Sequence, residues 1–207
     1  MADRLFVFGS GGHAKVVIEA VRARSPGREI VIVDDSEAAR SRSIFGIAVS
    51  GGRELLDQDS RAPVALAIGD NRSRYDLMAW LTERGRNIEA VVHPSATLAE
   101  SVALGAGAFV SAGAVAIADA RIGRGAIINT GATVDHDCII GEAAHIAPGV
   151  HLCGNVEIGE RTLIGVGAAV RPGIIICADA VVGAGAVVVA NIETAGTFVG
   201  SPARRMS

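Results

Sequence analysis

Large rings are scarce in this 207-residue chain: aromatics make up 3% of it, although half of its residues are hydrophobic. Such a core must be filled by small aliphatic groups in a regular lattice. Basic runs are missing too. Lys15 is the only lysine and the net charge is −3, which excludes a polyanion-binding surface and nucleic acid as a partner. The cysteines, Cys138, Cys153 and Cys177, are odd in number and lack CxxC spacing. That excludes a disulfide framework and a thiolate zinc site, and fits a reducing compartment. The opening MADRLFVFGSGG has too short an apolar run for a signal peptide and no small-residue cleavage site, so the expected location is cytoplasmic. One long apolar run exists, Pro172 to Ala190, with Asp179 its single charge. It is long enough to mimic a membrane span, and periodicity rejects that reading.

What the chain has in quantity is small residues at a fixed interval. Stepping by six from Leu98 passes Leu104, Val110, Ala116, Ile122 and onward to Val188, and each of these sixteen positions is aliphatic. Two residues before each anchor stands another small or branched side chain, from Ala96 and Val102 to Ala186. A six-residue period is the mark of a parallel β-helix of hexapeptides. Three hexapeptides make one 18-residue coil, so Leu98 to Val188 spans five coils, a prism about 24 Å tall at roughly 4.8 Å per coil. Gly105, Gly123, Gly141 and Gly159 recur every 18 residues, as expected of a corner that needs φ > 0. Pro172 to Ala190 keeps the same beat and belongs to the prism. Outward flanks such as Ala103, Phe109, Val115 and Ile127 are apolar, and burying them against other prisms predicts an oligomer.

The first ninety residues follow a different rule. RLFVFGSGGHAKVVIEAVRAR reads as a strand, a glycine turn and a helix; EIVIVDDS supplies a second strand, PVALAIG a third, and RYDLMAWLTERG a further helix. The IFGIAVSGGRELL stretch reads as a connection into a small helix around Arg53 to Leu56. The expected fold is therefore an α/β N-terminal Rossmann-like domain over residues 1–90, followed by a parallel β-helix over 91–207. In the turn GSGGHA, Gly9, Gly11 and Gly12 let the backbone approach a diphosphate, the helix N-terminus supplies donors, and Asp34 and Asp35 at a strand end suit ribose hydroxyls. The chain switches to hexapeptides before a second half-domain forms, so one mononucleotide fits better than a dinucleotide, and a nicotinamide oxidoreductase lacks the chain it needs.

Three of the five histidines fall within Thr130 to Gly159. His136 stacks between Ala118 and Gly154, both small, so its ring is expected in open space beside the corner. Asp135 and Asp137 flank it, and a neighbouring carboxylate fixes an imidazole's tautomer and supports it as a general base. His145 and His151 each precede an anchor, and each reads either as a solvated edge residue or as part of a site. Their spacings of 9, 6 and 15 are not multiples of 18, so the three can meet only across a subunit boundary. Cys138 reads as core and Cys153 as more exposed, with nothing nearby to make it a nucleophile. A zinc lyase of the γ-carbonic-anhydrase type and a non-catalytic nucleotide-binding scaffold remain as rival readings.

GSGGHAK (9–15), VDDS (33–36), IGDNRSR (68–74), HPSA (93–96), NTGATVDHDCIIGEAAHIAPG (129–149), CGNVEIG (153–159) and VGSPAR (199–204) together resemble one family. It is the nucleotide-sugar N-acetyltransferases of the PglD, NeuD and perosamine N-acetyltransferase type, with the related sialic acid O-acetyltransferases. The resemblance implies a left-handed β-helix, acetyl-CoA as co-substrate, no metal, a homotrimer with sites between subunits, and a role in bacterial surface glycan or O-antigen biosynthesis. It implies a UDP- or GDP-linked 4-amino-4,6-dideoxyhexose as acceptor, or a hydroxyl in the O-acetyltransferase alternative. By the same resemblance His136 is the catalytic base with Asp137 its acidic neighbour, and Asn129 lies near the acceptor. His13, with the glycine loop and Asp34 and Asp35, holds the nucleotide. His145, Gly154 and Pro202 contact acetyl-CoA. Bacillosamine-pathway members carry Glu where this chain has Asp137, which tells against that particular substrate.

Overall fold

The structure is a computed structural model that describes residues 4–206, so the ends of the expected domains at residues 1–3 and 207 lie outside it. Apolar runs bounded by turns set the first unit: β1 (Arg4–Phe8), α1 (Gly12–Arg24), β2 (Glu29–Val33), β3 (Ser43–Ile44), β4 (Ile47–Gly51), β5 (Val64–Leu66) and α2 (Asn71–Glu83). The sheet order is β3-β4-β2-β1-β5. All pairings are parallel except the β3–β4 hairpin. That hairpin corrects the reading of IFGIAVSGG as a plain connection. Phe45 and Gly46, both at positive φ, close it, and a non-glycine residue in that region is a weak signal in sequence. The small helix beyond it is a 3₁₀ segment, Arg53–Asp59.

From Val91 to Val188 the chain winds as a three-sided parallel β-helix in which each strand pairs with the one 18 residues away. One face carries strands beginning at residues 91, 109, 127, 145, 163 and 181 and ends on Thr197–Val199 and Arg204–Arg205; it is called the docked face below. The second face carries strands beginning at 97, 115, 133, 151, 169 and 187, the third those at 103, 121, 139, 157 and 175. The anchors from Val110 to Val188 point inward and are buried, as are the small residues two places earlier from Ala108 to Ala186. At about 1.5–3 kcal/mol for each fully buried Val, Leu or Ile, this column is the main stabilising element of the prism.

Two expectations about the prism need correction. Gly105, Gly123, Gly141 and Gly159 do not sit at positive φ. They are required because a Cβ at each would lie 2.3–2.6 Å from backbone of the next coil. The left-handed corner is a separate series every six residues, Gly107, Gly113, Asp119, Gly125, Gly131, Asp137 and onward, with φ of 51–71° up to residue 185. Second, Phe109 and Ile127, 2% and 1% exposed, are covered by the chain's own α1 side and not by another prism. The apolar core around α1 thus runs onto the docked face. Ile139 and Ile175 on the third face stay open, 42% and 48% exposed.

Candidate functional site

Where β1 ends, the chain turns through Gly9, Ser10 and Gly11 into α1. Gly9 has φ +115°, and a Cβ there would lie 2.7 Å from the Ala67 carbonyl oxygen, so only glycine fits. Gly11 and Gly12 face open space, and the first turn of α1 holds no acidic residue. Its free amides and the positive end of its dipole therefore face an open cleft of about 420 Å³, suited to an anion. The cleft is lined by residues 8–13, Asp34, Asp35, 67–69 and Ser73.

The two aspartates have occupations of their own. Asp34 Oδ2 accepts from Ser10 N at 2.8 Å and Ser10 Oγ at 2.6 Å, and Oδ1 accepts from Ser36 N, which ties the glycine turn to the end of β2. Asp35 accepts from Arg53 N at 3.0 Å and Arg53 Nε at 2.9 Å. Burial raises the Asp35 carboxyl, and Arg53's hydrogen bonds and charge outweigh it, leaving the group below its ordinary value. Both carboxylates line the cleft, and a ribose would have to use the lone pairs that remain.

His13 leaves the turn toward the prism and packs edge-on against Phe109, ring centroids 5.0 Å apart. Burial, then the nearby Arg74 and His145, push it down to about 3, so it is neutral. Its Nε2 has no hydrogen-bond partner among the described residues. His145 stands on the docked face with a pKa lowered to about 4 by burial and Arg74. Asn129 lies 3.0 Å from its Nε2. Because Asn129 Oδ1 accepts from Thr130 N at 2.8 Å, it is the amide nitrogen that faces the ring, and the His145 proton sits on Nδ1.

His136 is elsewhere on the prism. It follows the second-face strand Thr133–Val134 and precedes the third-face strand Ile139–Ile140, so one whole face separates it from the Asn129–His145 pair. Its Nδ1 is 2.8 Å from Asp137 Oδ2, with both side chains 57% exposed. The hydrogen bond that its Nδ1–H donates to Asp137 raises its pKa; slight burial opposes that, and the charges of Asp135 and Asp137 add to it. Asp135 accepts from the His136 backbone N–H at 3.0 Å. Asp137 reaches the imidazole from a left-handed corner, φ 58°. With Nδ1 engaged, Nε2 is the free base atom. The ring is open to solvent on one side and lies against Gly154 of the next coil on the other. Pro202 follows a cis peptide bond in the exposed terminal turn, far along the chain from the other named residues.

The residue that sequence reasoning missed is Arg74, 1% exposed. Its guanidinium donates to the carbonyls of Ile68, Gly69, Gly125 and Ala143 at 2.7–2.9 Å and to Asn71 Oδ1 at 2.8 Å, joining α2 to two coils of the prism. Burial lowers its pKa to about 10, so it stays charged. The available signal was spacing. Arg74, Leu77, Met78 and Leu81 form the buried stripe of α2, and an arginine in such a stripe must find many acceptors. His151 bonds Thr133 Oγ1 on the second face at 3.0 Å and is exposed. Among the described residues no three His, Cys, Asp or Glu side chains gather around a metal position. Among the described residues no helix is long and apolar enough to cross a membrane.

Residues 4–81 match the PglD N-terminal domain family. The chain is similar over 99% of its length to all of the acetyltransferase domain of PglB from Neisseria gonorrhoeae, with 38% identity and a TM-score of 0.91. It is similar over 98% to 97% of PerB from Caulobacter crescentus, solved with CoA and GDP-perosamine, with 42% identity and a TM-score of 0.91. It is 36% identical over 117 residues to UDP-N-acetylbacillosamine N-acetyltransferase of Bacillus subtilis, a match spanning about half of each chain.

Proposed function

We propose, from the premise that this chain belongs to the PglD and perosamine N-acetyltransferase family of hexapeptide-repeat acyltransferases, that it transfers an acetyl group from acetyl-CoA to the C4 amine of a nucleotide-linked 4-amino-4,6-dideoxyhexose. The division of labour falls near residues 90–91. The α/β unit holds the nucleotide at the α1 N-terminus, and the prism carries the acyl donor past Gly154 toward Pro202. The observation that carries the reading is the split itself. The nucleotide cleft, which His13 lines, and the Asn129–His145 pair on the docked face lie to one side of the prism, and the free imidazole of His136 lies one face away. A homotrimer that sets the edge of one copy against its neighbour completes the site. Acetyl-CoA as donor and three unbridged cysteines favour the cytoplasm, and the product suits bacterial surface glycan assembly.

The reaction is a direct transfer within a ternary complex. The neutral amine attacks the thioester carbonyl while His136 Nε2 takes an amine proton, Asp137 steadying the imidazolium that forms. The Gly154 N–H, engaged by no acceptor among the described residues, is a donor for the oxyanion. Collapse breaks the C–S bond, and the proton passes to the leaving thiolate. General-base help of this kind gives about 10²–10⁴-fold, the remainder coming from holding two substrates in line. The test is thiol release from acetyl-CoA against a panel of UDP- and GDP-linked 4-amino sugars and their 4-hydroxy analogues. One amino sugar should turn over, with kcat falling at least about 10²-fold in His136→Ala and acetyl-CoA affinity little changed. Near-normal turnover by that variant removes His136 from the role, and preference for the hydroxy analogue replaces nitrogen by oxygen as acceptor.

A further inference from the structure

We infer that Gly154 is a positioning residue: its missing side chain leaves the only space in which the His136 imidazole can lie with Nδ1 on Asp137 and Nε2 free. The inference rests on the reading of His136 as the base. A Cβ built on Gly154 would stand 2.4 Å from both Cε1 and Nε2 of His136 and 3.0 Å from Cδ2. Carbon contacts are comfortable at about 3.5–4.0 Å, so the ring would have to swing away by more than an ångström and release the 2.8 Å bond to Asp137.

The coil itself does not ask for glycine here. Gly154 is not at positive φ. Its three nearest obstructing atoms all belong to one side chain, in contrast to Gly123 and Gly141, whose obstructing atoms are backbone. The chain also supplies its own controls. At this corner address, taken every six residues from 100 to 184, it places Ala, Arg, Thr, His, Glu, Pro or Val, and glycine once, at 154. That one glycine stands one coil beyond the one histidine. Ala118, one coil before His136, shows that alanine is accepted in the same column.

Stability and activity should therefore part company in Gly154→Ala. Alanine restricts the unfolded chain, so Tm should stay level or rise. Meanwhile kcat should fall about tenfold or more as the base loses its place, with KM for acetyl-CoA changing less. The His136 pKa, followed by its ring resonances, should drop toward the ordinary histidine value as contact with Asp137 is lost. Wild-type kcat with an unshifted His136 pKa overturns the inference. Should Gly154→Ala prove unstable, the His136→Ala/Gly154→Ala double variant decides. A Tm loss that vanishes once the ring is gone supports ring clearance, and an equal loss in both backgrounds assigns the glycine to the coil and overturns it. Full activity in His136→Ala defeats the base reading alone, because the Tm coupling between positions 136 and 154 is measured without turnover.

Discussion

In the prism a residue's surroundings follow from its number: six sets the corner, eighteen sets the neighbour above and below, and backbone bonds tie each coil to the next in register. In the α/β unit they follow from individual side-chain ties. Asp34 holds Ser10, Asp35 holds Arg53, and Arg86 holds the carbonyls of Leu56 and Ala62. The difference shows how the work is shared. A repetitive scaffold places one imidazole reproducibly, while an irregular unit shapes a cleft that no internal repeat could build. The two kinds of order meet at Arg74, which serves both at once.

The sharpest way to break the comparison is to cut that meeting point. Arg74→Ala leaves several buried carbonyls without donors, and the expected cost is about 3–5 kcal/mol of unfolding free energy. Lysine should rescue little, since one ammonium cannot span acceptors on α2 and on two coils. In whatever fraction stays folded, KM for the nucleotide sugar should rise more than KM for acetyl-CoA if, as proposed, the front unit holds the nucleotide and the prism the acyl donor. Denaturant unfolding and the two KM values check this. An unchanged midpoint would show that Arg74 is not what joins the two halves.

The same contrast explains which features of the molecule are legible in its sequence. The coils, their inward anchors and the location of His136 are legible because each is repeated or forced by arithmetic. The βαβ start is legible because a glycine turn between an apolar run and an amphipathic run is a local signal. Arg74 is not, because its acceptors include main-chain oxygens more than fifty residues away, and carbonyls have no letter in a sequence. Nor is the destination of Phe109 and Ile127. Their outward address is correct, but which body covers that face depends on how the front unit folds back. The glycines at 105, 123, 141 and 159 keep the expected period for a different cause, since close approach and left-handed φ both select glycine.

A smaller effect should appear on acidification, and it probes the seam between the halves. His13 and His145 are held neutral there, at about 3 and about 4, against about 6.5 in an unfolded chain. The unfolded state therefore binds more protons once the pH falls below about 6.5, and stability is lost in that direction. Between pH 6.5 and 5 the expected loss is about 1–2 kcal/mol for each ring. His136, with its raised pKa, works with the opposite sign, weakly, because it is exposed. Replacing both seam histidines by glutamine should flatten the Tm profile across this window. A wild-type profile already flat from pH 6.5 to 5 would mean that the rings gain protons without opening the seam.

The smallest effect tests whether position really follows from number. Gly113 and Asp119 occupy the same left-handed corner six residues apart, with φ of 66° and 60°, and both are exposed. The Asp119 backbone N–H bonds Ser101 Oγ, and any residue keeps that bond. A non-glycine residue in this region is strained by about 1–2 kcal/mol, less for aspartate, and glycine's extra freedom when unfolded offsets about 0.5–1 kcal/mol of the relief. Asp119→Gly should thus stabilise by roughly 0.5 kcal/mol and Gly113→Asp destabilise by about the same amount. Urea unfolding of the two variants resolves the pair if the shifts are read against each other. Opposite and matched shifts mean that the corner alone sets the energy; unequal ones mean that local ties, of the kind found in the front unit, reach into the prism as well.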